Sequence, residues 1–462
     1  MKGIQALHPM YSVLPVIINR DTPLGLYCEE HSRLAKNLYN AALFRVRQIF
    51  TAYGKDSLTE NEREVMEEVK LMTEAGYPAV GQVIGYNALE KLMRVTKNPD
   101  FFSGLPKQTA QGILRQTTGD FSNWLTALKD YRMHPEKYLG KPRMPHYKKA
   151  ELASFPVTNQ DAVFRSGVLK LPKTKLTLPV SNLKEKDVLL KEVKVIPYYG
   201  KFIISLTFQC EDIPLRTDLP GTAAVDFGTD NFAAIVSTDR CCRIYKGGAV
   251  LSENRRFSRE RAKAVAMITK GHEHMYADSR HLRNLSIKHD CFNRDQVHKV
   301  SRSIIEYCRE HGCGTLVLGV NRFWKQRSGI GDANNQKFVQ MPIAKLREKI
   351  LYKAAAAGIA VIEQEESYTS KADITARDSM PVYGKEPSAP AFSGKRICRG
   401  LYRCANGLVI NADCNGAANI MRKAIPDIWK DCRDYSFLSS PEVYGFKELN
   451  PKGIPLKRIG AA

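Results

Sequence analysis

Between residues 221 and 248 the chain reads GTAAVDFG, GTDN, FAAIVST and RIYKGG, which is strand, turn, strand and strand. Ala223, Ala224 and Val225 do not alternate with polar residues, so the first strand is expected to be buried on both faces. Asp226 ends that apolar run. Asp413 lies almost two hundred residues further on, in NADCNGAANI, where Gly416, Ala417 and Ala418 would let a helix lie close on a sheet. An isolated aspartate is ordinarily a cap or a turn residue, and both readings stay open here: a hairpin cap for Asp226, a helix N-cap for Asp413. The alternative is that the two carboxylates meet. An acid on a central strand and another on a late helix can gather divalent metal for phosphodiester chemistry. Gly228 then lets backbone and substrate come close, and Asp230 reads as the turn residue.

The 462 residues carry 70 Lys and Arg against 48 Asp and Glu, a formal charge of +22 spread over several segments. That excess points to a polyanionic partner, nucleic acid, rather than a membrane surface. No apolar stretch approaches the roughly 20 residues of a membrane span, and MKGIQALHPMYSVLPVIINR lacks the block of a secretory signal. The eleven Cys form no CxxC pair. A reduced, cytoplasmic, nucleoid-associated protein with mostly buried thiols is the expectation.

The chain is too long for one core. Residues 10–20 read as a strand; 24–52, 60–72, 80–94 and 105–135 carry apolar positions at helical spacing. GKPRMPHYKK, 140–149, breaks that pattern as a basic loop would. Residues 150–212 alternate as short strands. After the meander come a helical region near 255–312, the strand GTLVLGV, a helix over 338–357, the strand IAVIEQE and a helix from Gly416 to Lys423. Three antiparallel strands followed by alternating helices and strands is the RNase H order.

These residues resemble the TnpB proteins of bacterial insertion sequences, relatives of type V CRISPR effectors. The resemblance rests on residues 105–149, on AVDFGTDNFAAI as the first RuvC motif, on HKVSRSIIEYC at 298–308, on SYTSK at 367–371 and on NADCNGAANI. It implies a multidomain α+β and α/β protein. A helical recognition domain (21–140) is inserted in a small β-barrel (1–20 and 141–215). A RuvC nuclease domain follows (216–427), with an insert over 366–412 and a tail over 428–462. It also implies an RNA-guided DNA endonuclease using two Mg²⁺ ions, with a guide RNA and double-stranded target DNA bearing a short flanking motif as partners. Two other readings remain: a guided DNA-binding repressor that has lost cleavage, and a transposase acting without RNA.

Two departures matter. The family's second RuvC motif puts a Glu at the end of the fourth strand, where this chain has Gly319. The next strand ends in Glu363, Glu365 and Glu366. Its end lies roughly 10 Å from the Asp226 strand at the usual strand spacing, which a splayed Glu can largely span. Glu366 is the favoured replacement and Glu365 the second, so Asp226, Glu366 and Asp413 form the expected metal set; the alternative is three surface glutamates on an edge. The family's zinc ribbon is reduced to Cys398 and Cys404, too few for a structural zinc site. The insert is expected to act as a lid without zinc.

The expected nucleic-acid contacts are Lys107, Gln108 and Thr109 at a helix start, where backbone amides favour phosphate. Lys141, Arg143, Lys148 and Lys149 in the basic loop join them. So do His298 and Lys299 on the long helix, Trp324, Lys325 and Arg327 for stacking and phosphate, and Lys371, Arg396, Arg399 and Arg403 near the insert. Trp324 as a core anchor, and a solvated face for His298 and Lys299, are the competing readings.

Overall fold

A computed structural model describes residues 11–180, 189–210, 213–270, 272, 277–321, 341–382 and 390–450. The chain divides into two compact units, Tyr11–Cys210 and the remainder from residue 211.

In the first unit, β1 (Tyr11–Asn19) leads into four helices: α1 (Pro23–Ala52), α2 (Glu60–Glu74), α3 (Tyr86–Val95) and α4 (Lys107–Met133). Their starts follow from local chemistry. The Thr22 hydroxyl accepts from the Gly25 amide at 3.1 Å, and Pro23 takes a first-turn position where its missing N–H costs nothing. Thr59 and Glu62 form a reciprocal capping box at α2. Among the described residues seven strands complete the unit: β1, β2 (Phe155–Thr158), β3 (Val163–Arg165), β4 (Val168–Lys170), β5 (Thr177–Pro179), β6 (Leu189–Tyr198) and β7 (Lys201–Gln209). They fall into one ladder ordered β1-β7-β6-β2 and a second ordered β3-β4-β5. The β6–β7 turn places Tyr199 and Gly200 at positive φ, as a two-residue hairpin with the right twist requires. Phe202, Ile204, Leu206 and Phe208 alternate inward along β7 and share one apolar core with Leu38, Leu43, Ile113 and Phe121 of the helices. The helical segment thus lies between two strands of one sheet in sequence, and it is built on their core.

The second unit centres on a six-stranded sheet. Its meander is β8 (Gly221–Phe227), β9 (Asn231–Ser237) and β10 (Cys242–Lys246). Then come α5 (Gly248–Thr269), α6 (Arg280–Glu310), β11 (Cys313–Val320), α7 (Ile343–Ala355) and β12 (Ala360–Glu365). The expected helical region holds two helices, the second capped by Ser279. β13 (Lys395–Cys398), β14 (Leu401–Arg403) and β15 (Val409–Asn411) make a small separate sheet, followed by α8 (Ala412–Ala424) and β16 (Glu442–Tyr444). The large sheet is ordered β12-β11-β8-β9-β10-β16, with β11 parallel to β8 and β12 parallel to β11. β16 pairs with β10, so part of the tail joins the large sheet. One face of β8 (Ala223, Val225, Phe227) packs with Ile304 of α6 and Leu346 of α7; the other (Ala224) packs with Ala417 and Ile420 of α8. Burial on both faces explains the unbroken apolar run.

Candidate metal centre

Asp226 shares the parity of Ala224, so its side chain leaves β8 on the face that α8 covers. The helix comes so close there that a Cβ on Gly416 would lie 2.6 Å from Asp226 Oδ2. Only a residue without a side chain permits that approach. The N-cap of α8 is Asn411, whose Oδ1 accepts from the amides of Asp413 and Cys414 at 3.0 and 3.1 Å. Asp413 is therefore not the cap. It sits in the first turn of α8.

Register carries the third acid in. Leu318 of β11 stands opposite Val225 of β8, so Gly319 is the next step, beside Asp226. A Cβ at Gly319 would meet Glu366 Oε2 at 2.9 Å, Ile420 Cδ1 at 2.6 Å and the Val225 carbonyl oxygen at 3.3 Å. The Glu366 carboxylate thus extends from the end of β12 across the space that Gly319 leaves vacant. The turn after β12 fixes it: the Thr369 amide and hydroxyl donate to the Glu366 carbonyl at 3.2 and 2.9 Å. Asn415 of α8 donates to the Ala372 carbonyl at 2.9 Å, and Asn419 donates to those of Thr369 and Ala372 at 3.1 and 2.7 Å, so the helix bearing Asp413 also holds the turn bearing Glu366.

Glu365 goes elsewhere. It accepts from Lys423 Nζ at 2.7 Å and from the Ser367 amide at 2.6 Å. Glu363 accepts from Arg347 at 2.7 Å, on the outer side of the strand.

The electrostatics follow. Burial raises the Asp226 carboxyl well above the usual range, and the Glu366 and Asp413 charges raise it further against the opposing pull of Arg396 and the Phe227 amide. Burial, then Glu365, pushes Glu366 up to about 7, opposed by Lys423. Burial works the same way on Glu365, but the Lys423 and Ser367 hydrogen bonds outweigh it and leave that carboxyl below the usual range. Among the described residues Glu366 Oε2 is buried with no hydrogen-bond partner. A buried carboxylate oxygen without a partner is costly. Asp226 and Glu366 lie at gaps that Gly416 and Gly319 leave open, and Asp413 is near enough to raise Asp226; carboxylate oxygens are the donor type that suits a hard divalent cation.

One residue beside the acids, Asn231, was not singled out in the sequence. Asn231 Nδ2 donates to Asp413 Oδ2, which steadies that carboxylate. Asp230, read as a plain turn residue, pairs with Arg399 of the insert, and Arg396 stands 3.7 Å from Asp413 Oδ1. No spacing rule could have found Asn231: it faces Asp413 only because the β8–β9 turn and the start of α8 meet in three dimensions.

Other expected contacts fare unevenly. Lys107, Lys141, Arg143, Lys149, Lys371 and Arg403 are exposed, and Gln108 is half-buried. Thr109 is fully buried; it is a core residue of α4 and cannot touch a ligand. Lys148 lies with its amine 4.0 Å from the Tyr39 ring centre, and burial holds its pKa below the usual lysine value. Lys299 is paired with Asp295 at 2.6 Å. His298 is half-buried and its pKa is lowered, first by burial and then by Lys353. Trp324, Lys325 and Arg327 lie outside the described residues. Cys398 is exposed and Cys404 buried. Among the described residues no helix is long and apolar enough to cross a membrane.

Comparison with known proteins adds family information. A family described as "Probable transposase" (OrfB_IS605) matches residues 208–323. A "Cas12f1-like, TNB domain" family matches residues 344–420. The CRISPR-associated endodeoxyribonuclease Cas12f1 of Sulfoacidibacillus thermotolerans is 28% identical over 242 residues, 50% of this chain and 51% of that protein. The match thus spans about half the length of that relative. Two solved structures are similar at low identity. A cryo-EM structure of a Cas12f1–sgRNA–target DNA complex is 12% identical, covers 86% of this chain and 82% of its own, and has a TM-score of 0.46. A CRISPR–Cas12f ternary complex is 13% identical, covers 86% and 81%, and has a TM-score of 0.30.

Proposed function

We propose that this chain, a TnpB- and Cas12f-like family member, is an RNA-guided DNA endonuclease with its RNase H-like nuclease centre at Asp226, Glu366 and Asp413. The observation that carries the reading is the Glu366 carboxylate, buried and partnerless at Oε2, lying in front of Gly319 on the face of Asp226. It answers the objection that Gly319 leaves the centre one ligand short, and so favours a cutting enzyme over a guided repressor.

Asp226, Glu366 and Asp413 would hold two magnesium ions, which when bound supply Lewis-acid activation of water and of the leaving oxygen in phosphodiester hydrolysis. The chain's own residues do the positioning. Gly416 lets α8 approach β8, Asn231 orients the Asp413 carboxylate, and Lys423 neutralises Glu365 so that only one of the two adjacent glutamates turns toward Asp226. Arg396 and Arg399, which pair with Asp413 and Asp230, would take phosphate oxygens of a DNA strand in exchange for those carboxylates.

The formal charge of +22 fits a protein that holds a guide–target heteroduplex by its backbone while base pairing reads the sequence. Lys107, Lys141, Arg143 and Lys149 are the candidate contacts outside the centre, and a short flanking DNA motif is the expected element read by the protein itself.

The test is to purify the chain with the RNA it binds in cells, sequence that RNA, and offer DNA matching its guide portion in magnesium. Cleavage by the native protein that disappears in Asp226→Asn and Glu366→Gln supports the reading. Matched DNA that is bound but left intact would make the protein a guided repressor. Purification without RNA would favour the transposase.

A further inference from the structure

We propose that Asp239, Cys241 and His311 hold one zinc-class cation at the end of the large sheet remote from Asp226. This site goes beyond the nuclease reading and does not depend on it.

The three residues come from two places in the chain. Asp239 and Cys241 lie in the turn between β9 and β10; His311 follows the last residue of α6 and precedes β11. Their ligand atoms all lie within 4.8 Å of one another. The register separates them from the nuclease centre. Asp226 stands opposite Ala234 of β9, whereas Ser237, near the turn, stands opposite Ala223. Three residues of strand cover about 10 Å, and Asp239 lies beyond them.

The donor set is sulfur, nitrogen and oxygen. Thiolate and imidazole select zinc-class ions, while magnesium wants oxygen alone, so the two ends of the sheet would sort metals by chemistry. Three protein ligands with a fourth place for water is a familiar zinc arrangement.

The surroundings are built as outer support for a metal ligand is built. Asp239 Oδ1 accepts from Ser237 Oγ at 2.5 Å, and Ser237 Oγ shares a 2.7 Å hydrogen bond with the buried Tyr307 hydroxyl. That leaves Asp239 Oδ2 for His311 Nδ1, 2.5 Å away. The Tyr307 ring lies against the His311 ring with centroids 4.1 Å apart, which limits rotation of the imidazole. Such second-layer contacts fix ligand orientation. The Asp239 side chain is 41% exposed, so an ion can reach the cluster from solvent.

The alternative is a plain Asp–His pair with a thiol nearby. Two ligands on tetrahedral zinc stand about 3.3 Å apart, so the Asp239–His311 contact must open by somewhat under 1 Å to admit the ion. On binding, the Cys241 thiol releases its proton to solvent and sulfur takes the metal as thiolate; metal uptake therefore releases acid. Without metal, burial and the Asp239 charge keep that thiol above its usual pKa. Occupied, the site would tie the start of β11 to the β9–β10 turn.

The experiment uses the full chain with its bound RNA, loaded with zinc, washed, and measured by elemental mass spectrometry. About one zinc per chain is expected, with at least a hundredfold weaker binding in Cys241→Ser and in His311→Gln, and no change in Asp226→Asn. Cobalt loaded in place of zinc on the unsubstituted protein should show a thiolate-to-cobalt absorption band, which does not depend on either variant folding. A chain that retains no zinc and gives no such band overturns the proposal. So does zinc that stays bound in both variants.

Discussion

The two ends of the large sheet in the C-terminal unit both gather side chains of the types that can hold a metal, and they leave them in opposite states. At the Asp226 end the donors are all carboxylates, they repel one another, and Glu366 Oε2 has no partner. At the Asp239 end the carboxylate is satisfied by Ser237 and His311, and the donors are mixed. The first arrangement is costly until a cation arrives; the second is stable without one. On the proposed reading, a centre that binds metal together with substrate gains from being unsatisfied, while a site that keeps a fourth place for water gains from ligands already held in orientation.

The largest expected effect separates Glu366 from its neighbour. Glu366→Gln or Asp226→Asn should lower magnesium-dependent cleavage at least about a thousandfold, since each removes several kcal/mol of charge stabilisation. Glu365→Gln should cost roughly tenfold or less, because Glu365 acts through Lys423. Single-turnover rates on matched DNA check both. Next in size come the residues that shape the gap. Gly319→Ala places a methyl 2.9 Å from Glu366 Oε2 and 2.6 Å from Ile420. It should slow cleavage about 10- to 100-fold and destabilise the unit by about 1–3 kcal/mol. Asn231→Ala should slow cleavage by a similar 10- to 100-fold while leaving stability nearly unchanged.

A pH experiment sharpens the contrast. The folded-state pKa of Glu366 is raised to about 7. In metal-free protein its contribution is therefore intact below the ordinary carboxyl range and is lost as pH rises through about 7. The metal-free protein should lose roughly 2–3 kcal/mol between pH 4.5 and pH 8 from this group, and Glu366→Gln should remove that loss. Chemical denaturation in chelator measures it. The smallest effect belongs to the far end: Cys241→Ser should change the cleavage rate by no more than about twofold while abolishing zinc retention.

Much of this architecture was legible in the residues. The apolar run before Asp226 is long because both faces of β8 are covered, and the small residues after Asp413 announce a helix lying close on a sheet. Gly319 read as a missing ligand; only the register shows that its bare backbone also makes room for Glu366. The insert's three short strands and β16 were not seen, because such segments owe their pairing to distant partners. Arg243 faces Glu442 across β10 and β16, and no local pattern encodes that. Thr109 was misread for the opposite reason: a polar residue at a helix start looks like a ligand contact, but the fold buries it completely.

The most direct measurement is a crystal structure of the protein with guide RNA and target DNA in manganese, with anomalous scattering collected at the metal. The expected result is manganese density bounded by Asp226, Glu366 and Asp413, with the Glu366 carboxylate crossing in front of Gly319 to reach it. Density that Glu366 does not touch, whether ligated by Glu365 or by Asp226 and Asp413 alone, would contradict the account.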